Sequence, residues 1–112
     1  MSVTAKTLIA AKQAEATQTT QYTAPASTRT IIDKFTATNT SAGAVTLSVN
    51  LVTAADTAGN QNLIVKTKSL AAGETYTFPE LVGHVLDASG FISTIASAAT
   101  SITIRSSGRE IN

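Results

Sequence analysis

The sequence has no cysteine and no tryptophan, and only one histidine and two prolines among its 112 residues. Without cysteine there can be no disulfide, no thiolate nucleophile and no cysteine-bound zinc or iron–sulfur cluster. Aromatics make up 4% and charged residues 13% of the chain, against roughly 25% charged in an ordinary globular protein. The eight Lys and Arg and seven Asp and Glu are scattered singly, with a net charge of +1. Nucleic acid and anionic membrane both select for a basic stripe, so neither is an expected partner. Aromatics do not alternate with basic residues, so there is no platform on which unpaired bases could stack. No apolar run approaches the ~20 residues of a membrane span. The opening MSVTAKTLIAAKQAEA carries a short apolar patch, but Lys12 and Glu15 interrupt it early, unlike a secretory leader. The chain is therefore expected to be made in the cytoplasm and used without export.

What replaces charge is Ser, Thr, Asn and Gln, alongside a normal 43% hydrophobic content. A chain this long makes one domain with a modest core. Residues 1–17 are Ala-rich, with Leu8, Ala11 and Glu15 at helical spacing, and are expected to form an N-terminal arm, partly helical or extended. Beyond it, residues 18–112 read with a period of two. TQTTQYTA is a polar, edge-like strand. In TRTIIDKFTATN, Ile31 and Phe35 are expected to face the core. AVTLSVNLV alternates Val45, Leu47, Val49 and Leu51 inward against Thr46, Ser48 and Asn50. Further strands follow in NLIVKTKSL, TYTF, FISTIAS and SITIRSS, and Pro79 is placed to start one helical turn. About seven or eight short strands with turn signals between them predict an all-β antiparallel sandwich, either jelly-roll or immunoglobulin-like.

Candidate chemistry centres on His84, with Glu74, Glu80 and Asp87 nearby in sequence. A general base needs an orienting carboxylate and a substrate proton within hydrogen-bond reach, and Asp87 could orient the ring. No G-x-S-x-G elbow or oxyanion partner accompanies it. One histidine with two carboxylates falls short of a four-ligand structural zinc site. DTAGNQN, residues 56–62, has oxygen donors but lacks the repeated acids and terminal Glu of a calcium loop. The arginines of STRT and SSGRE are better explained as ion pairs at strand ends than as phosphate ligands. No enzyme activity, metal, cofactor or small-molecule substrate is expected.

The string TTQYTAPASTRTIIDKFTATNTSAGAVTLSVNLV resembles a pattern found in small virion proteins of tailed bacteriophages. The matching parts are Tyr22–Pro25, the hydrophobic strand Ile31–Phe35, the Asn39–Thr40 turn and the strand Val45–Val49. LAAGETYTFPELVGHVLDASGFISTIASAATSITIRSSGREI continues it, so the resemblance runs from about Gln18 to Ile111. It implies a virion structural protein, above all a capsid decoration (cement) protein on the exterior of the phage head. A tail, neck or baseplate adaptor is the second reading, and a receptor- or glycan-binding module the third. The partners implied are the major capsid protein and further copies of this chain, as a dimer or trimer. Interface candidates are Val3, Leu8 and Ile9 in the arm, Tyr22 on an edge strand that a second subunit could complete, and His84.

Overall fold

The computed structural model describes residues 1–112. It contains β1 (Val3–Gln13), β2 (Thr19–Thr23), β3 (Arg29–Asn39), β4 (Val45–Val52), β5 (Leu63–Leu70), β6 (Thr75–Thr77), β7 (Val85–Leu86), β8 (Phe91–Ala96) and β9 (Ile102–Ile111). A single 3-10 turn, Asn60–Asn62, lies between β4 and β5. One sheet runs β1-β9-β3-β6, with β7 also on β3, and the other runs β2-β8-β4-β5. All pairings are antiparallel.

β6 and β7 lie on the same side of β3, and together they act as one interrupted strand. Counted that way there are eight strands. The first pairs with the last, the second with the seventh, the third with the sixth and the fourth with the fifth. One long hairpin has been folded over on itself, which is a jelly roll. An immunoglobulin sandwich orders its strands differently, so the topology decides between the two expected architectures.

Between the sheets, Ile32, Phe35, Ile102 and Ile104 from one side meet Leu47, Val49, Leu70 and Ile92 from the other, all fully buried. Phe78 packs edge-on against Phe35 at 5.5 Å and against Tyr76 at 4.8 Å between ring centroids. With so few aromatics, this trio supplies much of the aromatic mass of the core.

Three sequence expectations give way. Residues 1–17 do not form a separate arm, and nothing in them is helical. Val3–Gln13 is a full edge strand on β9, and Leu8, Ile9 and Ala14 belong to the core. Leu8 and Ile9 are both buried because the β1–β9 register shifts between Thr7 and Ile9, and a bulge turns consecutive residues to the same side. A second bulge explains the exchange of Ile31 for Ile32. The β3–β9 register slips between Ile32 and Lys34, so Ile32 is buried before the slip and Phe35 and Ala37 after it. Ile31 falls on the outer face. The third concerns Pro79. The segment after it folds as successive turns, with Leu81 N–H bonded to the Phe78 carbonyl and Val82 N–H to that of Pro79, and no helix forms.

The polar edge strand expected around Tyr22 is present as β2, the edge of the second sheet. In β4, Ser48 and Asn50 do alternate away from the core residues, yet both are buried. The loop after β4 folds back over them, and the Asn50 amide donates to the Gly59 carbonyl at 3.0 Å and to Asn62 Oδ1 at 2.7 Å.

Candidate assembly surfaces

The five residues singled out in the sequence do not converge on one site. Leu8 and Ile9 are core, at 6% and 2% exposure, and offer nothing to a partner. Val3 is 55% exposed at the start of β1.

Tyr22 is half-buried and already engaged within the chain. Its hydroxyl donates to Glu110 Oε2 at 2.6 Å and lies 2.7 Å from Thr30 Oγ1. Tyr22 sits in one sheet, and Thr30 and Glu110 sit on paired positions of the other. The phenol therefore ties the two sheets together at one end. Lys6 Nζ adds a longer contact to Glu110 at 3.9 Å. Burial, and then the hydrogen bond to the Glu110 carboxylate, push the Tyr22 hydroxyl up to about 12. The sequence carries no local sign of this link, because its partners are far apart in the chain and only the fold brings them together.

His84 has an exposed side chain in the turn before β7. Its backbone is used, since its carbonyl accepts from Ile32 N–H at 3.0 Å. Each carboxylate near it in sequence is engaged elsewhere. Glu74 accepts from Ala71 N–H at 2.8 Å, Glu80 from the Tyr76 hydroxyl at 3.1 Å, and Asp87 lies 3.8 Å from Arg29. His84 lines a cleft of about 230 Å³ together with Leu51, Ile64 and Val85. At this end of the sandwich Leu81 and Leu86 are buried and Val82 and Val85 are exposed.

No three His, Asp or Glu side chains are grouped as a metal site. In the 56–62 loop, amide donors of Gln61 and Asn62 and the Thr57 N–H surround the Asp56 carboxylate. The loop is thus closed by its own donors. Arg109 grips Asp33 through Nε and Nη2 at 3.0 and 2.9 Å, and the guanidinium holds the Asp33 carboxyl below its usual range. The arginines of SSGRE and STRT both face carboxylates, as their sequence context suggested.

The outer face of the five-stranded sheet changes character along its length. At the end holding both chain termini, Val3, Ile111, Ile31 and Val85 face outward from four strands. Toward the other end the same face carries Thr36, Thr38, Thr75, Thr77 and Thr103, with Thr38 and Thr75 hydroxyls 2.9 Å apart. The same face also carries Arg29, Lys34, Arg105 and the Asp33–Arg109 pair, interspersed among these residues.

The class defined by the strand order is the jelly-roll sandwich. No family model and no curated protein matches the chain. Among solved structures, a chain in the structure of infectious bursal disease virus, Gx strain, superposes with a TM-score of 0.54 at 15% identity, over 97% of this chain and 32% of that one. At that identity the likeness is one of fold. This chain spans about a third of the viral chain it resembles.

Proposed function

We infer that this protein is a structural component of a virion, and more specifically a decoration or cement protein on the outside of a tailed-phage head. One observation carries the reading: an eight-stranded jelly roll accounts for nearly the whole chain, and the same fold over 97% of its length occurs in a chain of a virus structure. The resemblance of Gln18–Ile111 to small phage virion proteins supports the phage assignment. The engagement of Glu74, Glu80 and Asp87 away from His84 favours a non-catalytic role.

The mechanism follows from the surface. A cement protein adds small contacts at many symmetry-equivalent places, and each contact can be weak because tethering multiplies affinity. The outer face of the five-stranded sheet offers threonine hydroxyls together with Arg29, Lys34 and Arg105 for such contacts. The partners are neighbouring major capsid subunits and further copies of the chain. In the experiment that tests this, heads assembled without the protein are expected to rupture at lower temperature and to regain resistance when purified protein is added. Heads that are equally resistant with and without it, and that bind none, would contradict the proposal. Binding confined to tails or necks would support an adaptor role instead.

A further inference from the structure

A two-sheet sandwich has four edges, and each presents backbone groups that another chain could pair with. Three of them are blunted here. β2 is bulged at Gln21, whose amide is drawn to Glu15 and Thr94. β5 carries Lys66 and Lys68 and is broken at Thr67, which has φ +46°. The β6/β7 edge consists of pieces of three and two residues separated by turns.

The fourth edge differs. From Val3 to Thr7 the β1–β9 register runs without a shift, from Val3 opposite Ile111 to Thr7 opposite Ser107. β1 has no strand on its other side, and all five of these residues are exposed. The bulges that would discourage pairing begin only at Leu8.

We propose that Val3–Thr7 pairs antiparallel with the same segment of a second copy about a two-fold axis at Ala5, joining two five-stranded sheets into one continuous sheet. The register follows from the side chains. With Ala5 facing Ala5, Val3 faces Thr7 and Thr4 faces Lys6. The smallest side chain of the segment sits where two copies crowd, and no like charges oppose each other. Lys6, the one cation of the segment, already reaches toward Glu110 of its own chain. A two-fold contact is isologous and closes, so the pairing yields a discrete dimer. The join also carries the outer-face rows Val3–Ile111–Arg29 and Ala5–Arg109–Ile31–Val85 across both copies, giving the proposed capsid-facing surface twice the width. The pairing deepens the oligomer part of the virion reading, but it is tested on purified protein alone.

The absence of cysteine makes the test specific. Residues directly opposite in an antiparallel pair have Cα atoms about 4.5–5.5 Å apart, inside the ~4.4–6.8 Å range of a disulfide. Under mild oxidation Ala5→Cys is expected to convert to a covalent dimer. Val85→Cys, also exposed and on the opposite edge of the same sheet, is expected to remain largely monomeric. Thr7→Cys alone should not cross-link, whereas Thr7→Cys mixed with Val3→Cys should. Ala5→Lys places like charges on the axis, and sedimentation should show dimer dissociation rising roughly fivefold, partly reversed by salt. If Ala5→Cys cross-links no better than Val85→Cys, the pairing is overturned whatever the particle experiments show. If Val3–Thr7 amides become protected from exchange only on particles, the edge pairs with a shell strand and the second-copy assignment falls.

Discussion

At Gly108 the fold depends on the absence of a side chain. The bulge near Asp33 brings the Ile31 carbonyl over β9, and a Cβ at 108 would overlap that oxygen and crowd Leu8. The Ile31 carbonyl is backbone held in the sheet, so the backbone would have to move. Gly108→Ala is expected to cost about 3 kcal/mol, the upper end of overpacking, read as a lower denaturant midpoint. Tyr22 provides a pH signature. Its hydroxyl titrates near 10.0 when free and about 12 in the fold, so the folded state holds the proton more tightly. The stability this contributes is fully present below pH ~10 and is lost as pH rises toward ~12. Tyr22→Phe should lose about 1.5 kcal/mol at neutral pH, between neutral and charge-assisted hydrogen-bond values. Its unfolding curve should also fall less steeply than the wild type's between those pH values. His84→Ala, at an exposed position whose contribution is through its backbone, should change stability by less than about 0.5 kcal/mol.

Among the elements, β1 is where sequence and structure part most clearly. Its Ala-rich run sets Leu8, Ala11 and Glu15 at helical spacing, and the bulge that places consecutive Leu8 and Ile9 on one face removes the strand alternation that would have countered it. Strand prediction relies on strict alternation, and a bulge erases that signal where it matters. The slip at Asp33 does the same to β3, so Phe35 was legible as core while Ile32 was not. β4 keeps its alternation across the core, so Val45, Leu47 and Val49 were readable directly. Buried Asn50 was not, because its burial comes from a loop that follows it in the chain. Of the candidate site, the carboxylates around His84 were visible in sequence, but the Arg29 partner of Asp87 is brought in only by the fold. The element-scale expectation is that removing residues 1–17 prevents cooperative folding, since it uncovers Ile104 and deletes Leu8 and Ile9 from the core. Ile9→Ala alone should cost about 3 kcal/mol. Circular dichroism of the truncated chain decides this, and an unchanged unfolding midpoint would restore the view of the segment as a dispensable arm.

For the whole molecule, a two-layer sandwich with extents of 46 × 26 × 20 Å offers far more surface than interior. The termini meet through the Ser2–Asn112 hydrogen bonds, closing one end of the sandwich. In the proposed role the outer face of the five-stranded sheet lies against the lattice and the β1 edge joins another copy. The claim on which this reading rests is that the protein is a stoichiometric part of a particle. Mass-spectrometric quantitation of the chain in gradient-purified heads tests it most directly. The expected result is an amount comparable to the shell's own subunits, lost only under conditions that strip the outer surface. Its absence from purified particles, with the protein left entirely in the soluble fraction of the cell, would contradict the account.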